Sequence, residues 1–318
     1  TVTPQQIIID TDPGIDDAMA IFYALASPEL DVIGLTTVFG NAHTTTCTQN
    51  ALRLLEIAGR PDIPVAEGAH RPLAMDYRGP ADFVHGIDGQ GNLDLPAPET
   101  SAIAQDAAHF IVERVMAAPG RITLCPIGPL TNIALALLLE PRLADNLAGI
   151  VLMGGNAFGG GNASPAAEAN ILNDPDAADI VFGAHCPIVM AGLDVTEATF
   201  ITGEQLERIG TVDNPRARHA AAILPFYREF NQREAGRDGI YVHDSTVISY
   251  LLAPQHYRSV QMPIRVDCGH GVGRGKTWPA IDRHRRGAWE RRPDVTILTE
   301  VDAPAVVALE LGRLGLSR

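Results

Sequence analysis

The sequence has 318 residues, 46% of them hydrophobic, which is material for a large core, yet no apolar run reaches the ~18 residues that span a bilayer. A formal net charge of −14 argues against a polyanionic partner, because phosphate contacts need clustered Lys and Arg, so neither nucleic acid nor membrane is expected. Cys47, Cys125, Cys186 and Cys268 lie far apart without zinc or redox spacing and read as free, mostly buried thiols of a reducing compartment.

The opening residues, Thr1 to Gln6, have no basic n-region and no signal-peptide core, so the expected setting is the cytoplasm. Next, Ile7 to Ile9 form a short apolar run of the kind that makes a strand buried on both faces. The run ends in Asp10-Thr11-Asp12 and the turn pair Pro13-Gly14; Ile15 to Leu25 then reads as a helix with Asp16 and Asp17 in its first turn. Four aspartates therefore share eight residues at one strand-to-helix corner. One or two of them would be ordinary turn and capping groups. Four repel one another unless a cation offsets them, and carboxylate oxygens suit Ca²⁺ or Mg²⁺ rather than zinc.

Strand-like runs recur at 31–39, 121–127, 150–153 and 188–191, each ending in Gly, Asn, Asp or Pro. Helical patterns fit at 44–58, 101–117, 131–139 and 174–183. This alternation predicts an α/β fold, a mostly parallel open sheet with helices on both faces and polar groups gathered on one rim. No linker or internal repeat divides residues 1–318, which read as a single domain with a helical elaboration around 200–240.

Several later stretches carry polar residues suited to a site. Val84 to Asn92 is glycine-rich and aperiodic, and reads as a mobile loop holding His85. Ile127-Gly128-Pro129-Leu130 is a strand end leading into a helix, with Thr131 or Asn132 as a cap. Met153-Gly154-Gly155 opens a loop running to Asn162, Glu168 and Asn170, polar side chains that suit a polyol. Phe226, Tyr227 and Phe230 follow helical spacing and read as core or lid packing. His243-Asp244 is commonplace by itself. His270 to Thr277 imitates a phosphate loop, but His270 stands where that motif needs glycine. Arg283-His284-Arg285-Arg286 with Arg291-Arg292 is flanked by Asp282 and Glu290 and reads as surface or subunit contact.

The segment DTDPGIDDA, residues 10–18, resembles the N-terminal signature of the inosine-uridine-preferring nucleoside hydrolase family. Further matching blocks around His85, Ile127, Asn162 to Asn170, Asp244 and Asp267 to Gly271 extend the resemblance over nearly the whole chain. It implies a Rossmann-like nucleoside hydrolase fold and Ca²⁺-dependent hydrolysis of the N-glycosidic bond of purine or pyrimidine ribonucleosides, as in nucleoside salvage. In that reading Asp12, Asp17, Asp244 and the backbone carbonyl of Ile127 hold calcium. Asp12 activates water for inverting attack at C1′, Asn41 supports the carboxylates, and His243 sits beside the leaving base. Asp16 and Asn170 grip the 2′- and 3′-hydroxyls, Asn162 and Glu168 the 5′-hydroxyl, and His85 and Met153 contact the substrate. The resemblance also implies a homodimer or homotetramer.

Two positions depart from the family pattern: Gln90 stands where many members have an apolar residue, and Ala169 where several have phenylalanine. Base preference depends on loops around 78–92 and 225–243. Two other functions compete. A haloacid-dehalogenase-type phosphatase could use Asp10 and Asp12, but Gly14 stands where that family expects Thr or Val. A non-catalytic nucleoside sensor has no need of the complete set of Asp12, Asp16, Asp17, Asn162, Glu168, Asn170 and Asp244.

Overall fold

Strand alternation sets the centre of the molecule. In the computed structural model, which describes residues 3–316, Ile7 and Ile9 of β1 (Gln5–Thr11) enter one apolar cluster and Ile8 enters another, all three fully buried. The first cluster is covered by α1 (Ile15–Leu25) and α2 (Thr44–Ile57), the second by α4 (Ala107–Ala117) and α5 (Thr131–Leu139). The same division splits Cys125 from Leu124 and Met153 from Leu152. A strand with both faces covered needs an unbroken apolar run, which is what residues 7–9 supply.

The eight-stranded sheet runs β3 (Val65–Glu67), β2 (Leu30–Thr37), β1, β4 (Ile122–Pro126), β5 (Gly149–Met153), β6 (Ile188–Ala191), then Val295–Val301 and Tyr257–Met262. Its pairings are parallel except the last, which is antiparallel. Because β2 lies on one side of β1 and β4 on the other, the chain reverses direction across the sheet at β1. A crevice opens there at the carboxyl ends of the strands, where open α/β sheets bind ligands. Asp10 sits at this point, in register with Thr36 and Pro126. Among the described residues no helix is long and apolar enough to cross a membrane.

Some expected boundaries move for identifiable reasons. The helix expected from residue 101 begins at Ala107, because the Asp106 side chain accepts from the His109 backbone N–H at 3.2 Å and caps it. Ile103 instead pairs with Ala66 as an isolated bridge. Asp174 caps Pro175–Phe182 rather than belonging to it. Neither Thr131 nor Asn132 caps α5: their side chains reach Asp174 and Asp10 instead. The region expected to be a mobile loop contains α3 (Asp82–His85) and is pinned beyond it, with Gln90 only 1% exposed. The elaboration after residue 200 consists of helices Gly203–Ile209 and Pro215–Ala235, closed at its base by the antiparallel pair Phe200–Thr202 and Gly239–Tyr241.

Ile8→Ala tests the central layer. Removing a wholly buried isoleucine is expected to cost about 2–5 kcal/mol, read as a lower urea midpoint at an unchanged m-value. A loss below about 1 kcal/mol would mean that the neighbouring side chains collapse into the gap.

Candidate active site

The four aspartates of the first corner take up different positions. Asp10, at the end of β1, accepts from Thr36 Oγ1 at 2.6 Å and Asn132 Nδ2 at 2.8 Å, ties that join the ends of β1, β2 and α5. Burial pushes its carboxyl up to about 7 in spite of those bonds. Asp17, in the first turn of α1, accepts from Thr11 Oγ1 at 2.6 Å, Asn41 Nδ2 at 2.9 Å, and the backbone N–H groups of Gly14 and Asp12 at 3.2 and 3.3 Å. Asp12 accepts from the Asn41 backbone N–H at 2.8 Å through Oδ2, while its Oδ1 is buried without any partner. Asn41 thus holds two carboxylates at once. Gly40 is needed beside it: its φ is +153°, and a Cβ there would lie 2.0 Å from Asp12 Oδ2.

Helix Ser245–Leu252 brings Asp244 to the same place, so that one oxygen each from Asp16, Asp17 and Asp244 lie within 4.8 Å of one another. Burial raises all three groups, and mutual repulsion adds to it for Asp16 and Asp244. Asp16 is pushed up to about 8 by burial and the charge of Asp17, and Asp244 stands well above the carboxylate range from burial and the charge of Asp16. Asp12 is likewise held well above it by burial and the charge of Asp17. Buried like charges with an orphaned oxygen among them need a cation or protons. The donors are all hard oxygens, so the residues present fit a divalent metal of the calcium or magnesium kind. Asp17 and Asp244 meet. The tight group includes Asp16, while Asp12 borders it.

Above the carboxylates lies a cavity of about 610 Å³. Asp16, Asn41, Asp244 and the Ile127 and Met153 positions line its floor. Asn170 Nδ2 donates to the Ile127 carbonyl at 3.0 Å and the Met153 carbonyl at 3.1 Å, tying the ends of β4 and β5 together. Glu168 caps the short helix Ala169–Asn173, accepting from the N–H groups of Asn170, Gly155 and Ile171 at 2.8–3.1 Å. Asn162 Oδ1 accepts from the Ala169 N–H at 3.0 Å. All three side chains line the same wall.

Phe83, Tyr227 and Phe230 make an aromatic part of the lining, with Asn231 beside them. Phe83 and Phe230 pack with ring centroids 6.0 Å apart, Tyr227 and Phe230 6.2 Å apart. Two histidines also line the cavity. His85 Nδ1 accepts from the backbone N–H of Ile15 at 3.0 Å, so the ring proton is on Nε2, 4.0 Å from Asp16 Oδ1. Burial, then the nearby His243, pushes His85 down to about 3. His243 Nδ1 lies 2.8 Å from Thr196 Oγ1, and its ring stacks on Tyr241 at 5.5 Å. Burial pushes His243 down to about 4, so both rings rest neutral.

The sequence matches the family model described as inosine-uridine preferring nucleoside hydrolase over residues 7–308. The chain belongs to that family. This hydrolase is 44% identical over 314 residues to a probable uridine nucleosidase 2 of Arabidopsis thaliana, covering 98% of this chain and 97% of the relative. It is 39% identical to a pyrimidine-specific ribonucleoside hydrolase, RihA, of Citrobacter koseri, covering 97% of each chain. Its fold superposes on the plant nucleoside hydrolase PpNRh1 with a TM-score of 0.94 at 40% identity, covering 99% of this chain and 100% of that one. Its activity is accordingly that of a ribonucleoside hydrolase, and the phosphatase reading falls away.

The residues singled out in the sequence converge on one place in the hydrolase. Asp16, Asn41, His85, Met153, Asn162, Glu168, Asn170, His243 and Asp244 border the cavity; Asp12 and Asp17 are buried at 1% and 0% in the carboxylate cluster. Asn231, Phe83 and the cavity-facing role of Tyr227 and Phe230 were not legible, because helical spacing alone does not separate a core face from a cavity wall. Phe226, Tyr227 and Phe230 all pack on the core, and Tyr227 and Phe230 line the cavity as well.

Proposed function

We propose that this hydrolase cleaves the N-glycosidic bond of ribonucleosides in a calcium-dependent reaction, releasing ribose and free base with inversion at C1′. The observation that carries the proposal is the buried Asp12 Oδ1, unpartnered beside three further carboxylates under a polar cavity. Asp12, Asp17, Asp244 and the Ile127 carbonyl would hold the ion, with Asp16 adjoining. When bound, calcium supplies the positive charge that neutralises the cluster, acidifies a water and orients sugar hydroxyls.

The chain's own groups do the rest. Asn41 fixes Asp12 through Oδ2 and leaves Oδ1 to accept the proton of the attacking water. Asp16 with Asn170 grips the 2′- and 3′-hydroxyls, and Asn162 with Glu168 the 5′-hydroxyl, while Met153 closes the wall beside them. Bond breaking leads through an oxocarbenium-like transition state. The flat base lies among Tyr227, Phe230 and His243, and His243 delivers the proton that lets it leave. The names of the curated relatives favour uridine over inosine as substrate. A homodimer or homotetramer in the cytoplasm belongs to the same reading, and sedimentation equilibrium checks the assembly.

One panel tests the whole proposal. Ribonucleosides and their 2′-deoxy counterparts are assayed for released sugar in calcium and in chelator. Ribonucleosides should exceed the deoxy forms by at least about tenfold, because the site's polar groups lose their partner. Calcium should raise the thermal midpoint, since a ligand that binds only the folded state stabilises it, and chelator should abolish turnover. Equal rates for both sugars, or turnover indifferent to chelator, would refute the proposal.

A further inference from the structure

A buried polar joint ties the turn that carries the carboxylates to the helix that carries Tyr227 and Phe230. Gln90 donates through Nε2 to the carbonyls of Gly14 and Gly89, each at 3.0 Å. Its Oε1 meets His219 Nε2 at 2.9 Å. With the amide nitrogen committed to carbonyls, the oxygen faces the histidine, so His219 carries its proton on Nε2 and donates it. Gln90 is 1% exposed and His219 8%. A buried amide and imidazole satisfied by one another specify geometry more sharply than apolar packing, because any shift leaves polar groups unpaired.

The three segments that meet here each carry part of the site. Gly14 belongs to the turn between Asp12 and Asp16. Gly89 and Gln90 close the segment that begins with His85, and the Gly91 N–H returns to the His85 carbonyl at 2.8 Å. His219 lies on helix Pro215–Ala235, two turns before Tyr227 and further ahead of Phe230 and Asn231. Asn50 of α2 adds a second peg, donating to the carbonyls of Pro13 at 3.2 Å and Asp88 at 2.8 Å. Gln90 joins the carboxylate turn to the helix of the aromatic wall by side-chain hydrogen bonds at both ends.

We infer that Gln90 and His219 are positioning residues that set the offset between the nucleobase wall and the ribose-holding carboxylates, and through it the preference between pyrimidine and purine nucleosides. The inference rests on the proposed function of the site. A one-ring and a two-ring base fill the space between wall and sugar differently, so a change of offset alters their rates unequally.

The test measures kcat/KM for uridine and inosine in calcium for the parent, Gln90→Met, His219→Phe, the double variant and His219→Gln. The uridine-to-inosine ratio is the readout, since it does not depend on the fraction of protein folded. Gln90→Met and His219→Phe should each move the ratio by about fivefold or more, within the range a change of pocket fit produces. The double variant should move it no further than either single change, the mark of two residues acting as one. His219→Gln, whose amide nitrogen reaches the place of Nε2, should stay within about twofold of the parent. Unmoved ratios in Gln90→Met and His219→Phe, or effects that add in the double variant, overturn the joint while leaving the hydrolase reading intact. Should Gln90→Met not fold, His219→Phe against His219→Gln decides. A parent inactive on both nucleosides overturns the reading of the site and the joint with it.

Discussion

Asp12→Asn should lower kcat/KM about 10²–10⁴-fold for every ribonucleoside, the usual cost of removing a general base. The substitution is nearly isosteric, and its amide oxygen can still accept from the Asn41 backbone N–H that now holds Oδ2 at 2.8 Å. What is lost is the second oxygen, which in the native chain is buried, unpartnered and held well above the carboxylate range by burial and the charge of Asp17. Because water must be activated whatever leaves, a nitrophenyl riboside should suffer as much as uridine. Calcium-dependent thermal shift on the same variant separates loss of the base from loss of the ion. Activity within about tenfold of the parent would remove Asp12 from the role of base.

His243→Ala should slow uridine or inosine about 10²-fold or more and a nitrophenyl riboside far less, since that leaving group departs without a proton. The ring's Nδ1 is engaged with Thr196 Oγ1 at 2.8 Å, which leaves Nε2 for the substrate. Burial holds the free ring near 4, so it meets the substrate neutral. As the glycosidic bond breaks, negative charge grows on the departing base and raises the imidazole's affinity for a proton, which the ring takes up from solvent and passes to the base through Nε2. His85 is poorly suited to donate that proton, because its Nδ1 is occupied by the Ile15 N–H at the start of α1 and burial pushes it down to about 3. Equal loss on both substrates would make His243 a sugar-positioning residue and leave the proton to solvent.

Much of this was legible in the linear chain because its physical cause is local. The three isoleucines mark a strand covered on both sides, since a side chain on either face of it must be apolar. The carboxylates of Asp10, Asp12, Asp16 and Asp17 are brought together by one turn, so their crowding can be read without knowing any other part of the fold. The motif from 10 to 18 named the family, and the blocks at 127, 162–170 and 243–244 named the other sides of the site.

What the sequence alone could not decide depends on contacts between distant segments. Asp16 rather than Asp12 joins Asp17 and Asp244 in the closest group, because the helix starting at Ser245 approaches from that side. The helix expected from residue 101 starts at Ala107, behind its cap Asp106, while Ile103 is held in a bridge with Ala66. Gln90 looked like one polar residue in a loose glycine-rich loop, yet its partner His219 is 129 positions away on the helix that also carries Tyr227. Periodicity and turn chemistry act over a few residues, and so they determine elements and local charge. Which face of the helix Pro215–Ala235 lines a cavity, and which buried amide meets which imidazole, is decided only when the sheet order brings β1, the 85–91 segment and that helix to one rim.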